Sequence, residues 1–341
     1  MAAARGAMPT APSYWRSRGP RALLLYPLSL LFGLLAALRR RLYRAGLLSQ
    51  VRLPVKVIVV GNIAVGGSGK TPVVAWLVEQ LRAAGWHPGI ISRGHGGSAR
   101  GVLEVVASGD AGVCGDEPLL LARLTGVPVF VGRDRPAAAA ALLQAHPECD
   151  VIVSDDGMQH YRLARDLELA VVDPATLGNR WLLPAGPLRE PVRRLDRVDL
   201  VIRHGDEGEL PPGLGARAVP MRLVGDGFRG VADPARRCDA SAFRGRRVHA
   251  VAGIGRPQRF FDQLAAMGLD VVPHPFPDHH RFVAADLDFA PGEPKLMTSK
   301  DAVKCAPFAP ADAWEFPVTA EIGSGAAERI LERLQHGRPP A

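Results

Sequence analysis

Residues 55–85 read VKVIVVGNIAVGGSGKTPVVAWLVEQLRAAG, and the architecture expected of the chain follows from them. A β-branched apolar run, a glycine-rich turn and an apolar pattern of helical period succeed one another before Gly85, which predicts strand, loop and helix. Within this segment residues 64–71, AVGGSGKT, fit a phosphate-binding loop, except that Ala64 stands where the pattern has its first glycine. Gly66, Gly67 and Gly69, with Val65 and Ser68 between them, let backbone N–H groups turn toward phosphate oxygens. The following helix offers its positive end, Lys70 can reach the β- and γ-phosphates, and the Thr71 hydroxyl can ligate Mg2+. A bare glycine-rich turn with an incidental lysine is the alternative, and the flanking strand and helix argue against it.

Such a loop needs a carboxylate at the end of a neighbouring strand. Residues 149–156, CDVIVSDD, supply an apolar run that ends in Asp155 and Asp156. Adjacent residues of an extended chain point to opposite faces, so one aspartate can address a metal while the other organises a base, a water or a histidine. Further apolar runs at 88–92, 127–131, 167–172, 199–202, 248–252 and 269–272 alternate with helical patterns at 118–124, 136–146 and 257–267. This alternation predicts an α/β protein with mostly parallel sheets of the P-loop NTPase type. The expected division is an N-terminal segment (1–50), a P-loop core (51–165) and a smaller second α/β lobe (166–341) whose last helix could pack back on the core. The guanine-reading Asn-Lys-x-Asp motif is absent, since Asn62 and Asn179 are the only asparagines, and ATP is the expected nucleotide. Thr298-Ser299-Lys300-Asp301 is the nearest candidate for reading a base.

With 47% hydrophobic and 22% charged residues, the 341-residue chain is not disordered, collagen-like or a multi-span membrane protein. A formal charge of +8 suits an anionic partner. Cys114, Cys149, Cys238 and Cys305 form no C-x-x-C pair, so neither a cysteine zinc site nor a dense disulfide framework is signalled, which suits a reducing compartment. The uncharged run 22–38, ALLLYPLSLLFGLLAAL, is preceded by Arg16, Arg18 and Arg21 and followed by Arg39, Arg40 and Arg41. It is short for a span and lacks a cleavage site, so an interfacial helix is expected, with leucines in the acyl layer and Arg39, Arg40, Arg41 and Arg44 at anionic headgroups. Spanning or lying flat, it leaves the body of the chain in the cytoplasm.

Five more polar clusters stand out: SRGHGG (92–97), GDEP (115–118), DDGMQHYRLARD (155–166), LPAGPLREP (183–191) and FPDHH (276–280). Together with the P-loop, its VGN lead-in and the MTSKDAVKC segment (297–305), they make the chain resemble the tetraacyldisaccharide 4'-kinases, the lipid A 4'-kinases of Gram-negative bacteria. The resemblance covers nearly the whole chain. It implies transfer of the γ-phosphoryl of ATP, with Mg2+, to the 4'-hydroxyl of a tetraacyl disaccharide 1-phosphate, forming lipid IVA at the cytoplasmic face of the inner membrane. The implied partners are this anionic glycolipid and the membrane surface, with no nucleic acid and no obligate protein partner.

The resemblance also implies residue roles. Asp116 and His279 correspond to a dyad that deprotonates the sugar hydroxyl, each from its own lobe, so that closure over ATP would assemble the pair. Glu117 and Asp155 join Thr71 around the metal, and Asp156 supports the dyad. Arg93, His160, Arg189 and Glu190 fall in motifs lining the acceptor side, where arginine suits a phosphate. Arg135 is a candidate contact to nucleotide phosphates or to donor-side charge. His95, Met158 and Ser299 depart from the usual family pattern at positions that carry no catalytic group. Two other classes compete: a membrane-associated P-loop hydrolase, and a nucleotide-gated carrier of an anionic lipid.

Overall fold

The structure is a computed structural model that describes residues 12–205 and 208–336. The chain forms two compact units. The first takes Ser13–Gly109, Val113–Leu223 and the chain from Thr319 onward; the second takes Val224–Val318, with the short piece Asp110–Gly112 grouped with it.

The first unit is built on nine strands: β1 (Lys56–Gly61), β2 (Pro88–Ser92), β3 (Leu103–Glu104), β4 (Val129–Val131), β5 (Val151–Asp155), β6 (Leu167–Val172), β7 (Leu200–His204), β8 (Ala218–Val224) and β15 (Thr319–Ile322). Their order across the sheet is β15-β8-β7-β6-β1-β5-β2-β4-β3. The block from β8 to β4 is parallel, and β3 runs antiparallel to β4. β5 and β6 are buried along their whole length. That is why these strands read as continuous apolar runs: a parallel sheet covered on both faces leaves no side for polar alternation.

The helices of this unit are α1 (Pro20–Arg44), α2 (Lys70–Ala83), α4 (Asp116–Thr125), α5 (Arg135–Ala145) and α8 (Ala326–His336), and the short α3 (Ala111–Cys114) falls on the division between the two units. Helix α2 buries Val73, Val74, Leu77, Val78 and Leu81, a stripe of helical period facing the sheet. Helix α5 is capped by Asp134, which accepts from Ala137 N at 3.4 Å. It packs so closely on β2 that a Cβ at Gly89 would lie 2.7 Å from the Leu142 side chain.

Helix α1 is 25 residues long, and it docks through small side chains. Ser29 Oγ donates to Leu182 O at 2.8 Å and accepts from Ala185 N at 2.9 Å. The Tyr26 ring lies 4.3 Å from Trp181, and a Cβ at Gly33 would meet Leu182 at 2.7 Å. The leucines point the other way, Leu24 being 81% and Leu34 65% exposed. Among the described residues this is the one helix long and apolar enough to cross a membrane.

The boundary expected at residue 165 is not where the units divide. Strand β6 pairs with β1, Ile58 opposite Leu167, and β7 and β8 extend the same sheet. After the second unit the chain returns as β15 and α8, where Arg333 Nη1 donates to Asp199 Oδ1 at 2.6 Å. The N-terminal helix likewise belongs to the first unit. Parallel strands carry no turn signal, so the sequence does not reveal which sheet a new strand joins.

The second unit holds β9 (Phe228–Gly230), β10 (Arg237–Cys238), β11 (Arg247–Ala252), β12 (Asp270–Pro275), β13 (Lys295–Thr298) and β14 (Ala313–Phe316), ordered β10-β9-β14-β13-β11-β12. β14, β13, β11 and β12 are parallel, and β9 is antiparallel to both of its neighbours. Phe228 stands 5.0 Å from both Phe243 and Phe316, and α6 (Pro257–Ala266) adds Phe260, Phe261 and Leu264 to the core. Helix α7 (Ser299–Cys305) follows β13, capped by Thr298.

Candidate active site

The site lies at the carboxyl ends of β1, β5 and β2, where an open parallel sheet collects its ligands. β1 delivers the loop of residues 62–69, and two of its glycines carry the turn: Gly66 has φ +112° and Gly69 φ +84°, conformations that favour glycine. Ala64 forms a bridge with Leu188, and Val65 N donates to Pro187 O at 2.9 Å. The loop is therefore braced by the 183–191 segment, the same segment on which α1 docks. Lys70 opens α2, and its Nζ lies 3.6 Å from Asp156 Oδ1.

Asp155 and Asp156 diverge at the end of β5. Asp156 adopts φ +47° and faces two cations, Lys70 and Arg189, whose Nη1 donates at 3.0 and 3.2 Å. Burial alone would raise its pKa, but Lys70 and Arg189 outweigh burial and hold the carboxyl at about 2. Asp155 is buried. Ser92 Oγ at the end of β2 donates to its Oδ2 at 3.0 Å, and Oδ1 has no hydrogen-bond partner. Burial, and then the charge of Glu117, push the Asp155 carboxyl up. An orphaned carboxylate oxygen with a second carboxylate close by is what a hard divalent cation requires, and Mg2+ asks for one or two carboxylates beside a hydroxyl and phosphates. Thr71, Glu117 and Asp155 fit that demand. Among the described residues no three carboxylate, histidine or cysteine groups converge on a metal position, so phosphates and water would supply the remaining ligands.

Asp116 and Glu117 occupy the first turn of α4, where the helix dipole favours negative charge, and Glu117 N donates to Asp116 Oδ1 at 2.9 Å. Asp116 is buried. His279 belongs to the second unit, on the turn after β12, with φ +58°. Lys300 Nζ lies 3.4 Å from its Nε2, and His279 N donates to Asp278 Oδ1 at 3.1 Å.

The expected acceptor-side residues separate into two groups. His160 is surrounded by positive charge: burial, then Arg135, Arg93, Arg39 and Arg165, hold its pKa down to about 4. Its imidazole is neutral at physiological pH. Arg93 and Arg39 are among these charges, Arg39 of α1 being one that the sequence assigned to headgroups, while Arg189 pairs with Asp156. Glu190 turns inward. It is 3% exposed and accepts from Gln159 Nε2 at 2.8 Å, Tyr161 Oη at 2.6 Å and Arg40 Nη1 at 3.2 Å, with Arg194 Nε at 3.4 Å. A buried carboxylate is tolerable only when so paired. Arg40 is correspondingly turned inward, not toward headgroups, and ties α1 to the core.

Arg135 lies beside the donor-side carboxylate Asp155. It is fully buried and donates through Nη2 to Asp155 O at 2.9 Å and through Nη1 to Gly132 O at 3.2 Å, so it braces the end of β5 from behind and does not face a phosphate. Asp301 is buried too; its Oδ2 accepts from Gly253 N at 2.9 Å and Thr298 Oγ1 at 2.7 Å, which makes it a structural cap and not a reader of a base. Ser92 was missed as an individual residue, although its SRGHGG cluster was visible in the sequence.

The comparisons with known proteins agree with this geometry. The family model described as tetraacyldisaccharide-1-P 4'-kinase matches residues 21–335. The tetraacyldisaccharide 4'-kinase of Azoarcus sp. (strain BH72) is 99% identical over the whole of both chains. That of Aromatoleum aromaticum (strain DSM 19018 / LMG 30748 / EbN1) is 66% identical over 97% of this chain and 99% of its own. Among solved structures, the "apo" form of LpxK from Aquifex aeolicus in complex with ATP superposes with a TM-score of 0.77 at 29% identity, covering 93% of this chain and 98% of that one. The chain belongs to the tetraacyldisaccharide-1-P 4'-kinase family.

Proposed function

We propose that this kinase transfers the γ-phosphoryl of ATP to the 4'-hydroxyl of a tetraacyl glucosamine disaccharide 1-phosphate, forming lipid IVA in lipid A biosynthesis. One observation carries the proposal: at the end of β5, next to the phosphate-binding loop, Asp155 keeps a buried, orphaned carboxylate oxygen, while Arg189 pairs with Asp156 and the charges of Arg93 and Arg39 act on His160. The loop suits the donor and the cations suit a doubly anionic acceptor.

Each residue has a defined task. Lys70 moves its charge from Asp156 to the β- and γ-phosphates, and the backbone of residues 64–69 cradles them. Thr71, Glu117 and Asp155 would hold magnesium, which when bound neutralises charge on the phosphoryl group in flight. Asp156 keeps Lys70 and Arg189 in place, and Arg135 fixes the carbonyl end of β5 as a positioning residue. Arg93 and Arg189 grip acceptor phosphate, while neutral His160 offers hydrogen bonds to the sugar. His279, for which the resemblance implies Asp116 as the partner carboxylate, takes the proton of the 4'-hydroxyl as its oxygen bonds to the γ-phosphorus and ADP leaves. This dyad rests on the family resemblance. The exposed leucines of α1 enter the acyl layer of the inner membrane on its cytoplasmic side, which keeps the lipid and the site together.

Isolation of the lipid product and 31P NMR test the proposal. A second phosphomonoester coupled to the 4' proton of the distal sugar supports it; a diphosphate at the 1-position, or unmodified lipid with free phosphate, overturns it.

A further inference from the structure

His204, the last residue of β7, lies two strands away from β1, yet it reaches the phosphate-binding loop: its Nδ1 stands 3.1 Å from Ser68 O. A carbonyl oxygen can only accept, so Nδ1 carries the proton in this contact. The Ser68–Gly69 peptide is planar and trans, and its C=O and N–H point in opposite directions. Drawing the Ser68 carbonyl to His204 therefore turns the Gly69 N–H away from β7. Two further features fit the same arrangement. A Cβ at Gly69 would lie 2.7 Å from His204 Nδ1, so the glycine serves the approach of the imidazole as well as its own φ of +84°. On the other side, buried Asn62 donates from Nδ2 to Ser68 Oγ at 3.1 Å and to Gly66 O at 3.4 Å, and its own carbonyl accepts from Gln159 Nε2 at 3.1 Å. Ser68 is held through its side chain by Asn62, just after β1, and through its main chain by His204, at the end of β7.

We propose that His204 is a positioning residue of this kinase, which aims the Gly69 amide at the nucleotide phosphates by holding the Ser68 carbonyl, with Asn62 as the opposing hold. The amide is thereby oriented before ATP arrives, so its ordering cost falls on folding and not on binding. The proposal rests on the P-loop as the ATP site and is independent of the dyad.

The experiment measures Mg-ATP affinity calorimetrically and steady-state kinetics at saturating lipid for wild type, His204→Ala and His204→Asn, whose amide nitrogen can replace Nδ1. One lost positioning hydrogen bond predicts that His204→Ala weakens ATP binding and raises its KM by about 3- to 10-fold, with kcat changed less. His204→Asn should recover most of the loss. In the intact ATP-free enzyme, 15N NMR should show Nδ1 of His204 protonated, a readout that needs no variant to fold. An unaltered ATP affinity in His204→Ala, an Asn variant as impaired as the Ala variant, or a lone pair on Nδ1 would each overturn the proposal. Because binding is read without lipid, failure of the kinase reaction itself would be seen separately.

Discussion

Glu190 separates an anchoring role from an acceptor-binding one, because the two make opposite forecasts for Glu190→Ala. In the structure its carboxylate is buried among Arg40, Arg194, Tyr161 and Gln159. Removing one partner of a buried ion pair costs about 3–5 kcal/mol, since the charges left behind lose their compensation. Arg194 keeps a second carboxylate, Glu168, at 2.6 Å, and Arg40 at 13% exposure can swing toward water. Both moderate the loss, so the lower end, about 3 kcal/mol, is expected. For a unit of this size each kcal/mol shifts the midpoint by about 2–4 °C, which gives a fall of about 6–12 °C. Differential scanning calorimetry reads the midpoint, and limited proteolysis between α1 and β1 reads whether the helix loosens. Kinetics at varied lipid complete the assay. A midpoint within 2 °C of wild type together with an increased KM for the lipid would refute the anchoring argument and restore Glu190 to the acceptor side.

Three further outcomes follow. Asp156 is held at about 2, below its ordinary 3.8, so it contributes stability above pH 3.8 that is lost as pH falls through 2; Asp156→Asn should remove this part of the acid limb in urea titrations at pH 5 and pH 2.5. Asp116→Ala and His279→Ala should each lower kcat by about 10²–10⁴-fold with little change in the KM for ATP, and the double variant should lose little more than either single one. Near-additive losses in the double variant would separate the two residues. Leu24→Asp with Leu34→Asp should release the enzyme from vesicles in flotation assays while Mg-ATP binding stays at the wild-type level, because both side chains face outward from α1.

What the sequence disclosed, and what it concealed, follow from the physics of each signal. The P-loop was legible because glycine, lysine and threonine at fixed spacing serve a backbone geometry, and β5 was legible because its apolar run ends in two aspartates. The divergence of Asp155 and Asp156 was expected from strand alternation, whereas in the structure β5 ends at Asp155 and a left-handed φ of +47° turns Asp156 away. Arg40, Arg135 and Glu190 turn inward for a reason the sequence does not carry: charge names a partner of opposite sign but not the direction in which the side chain turns. All three spend their charge inside the first unit. The unit boundary was concealed because β6, β7 and β8 join the sheet by parallel crossovers, and β15 closes it from the far end of the chain. His204 gave no local signal, as its partner Ser68 lies 136 residues earlier.

The most direct test is transfer of γ-labelled phosphate from ATP to a tetraacyl disaccharide 1-phosphate in mixed micelles, with Lys70→Ala alongside. Label in the lipid with wild type, and none with Lys70→Ala, is the expected result. Label released to water as inorganic phosphate with the lipid unmodified would contradict the kinase assignment, and with it the roles given to Asp116 and His279.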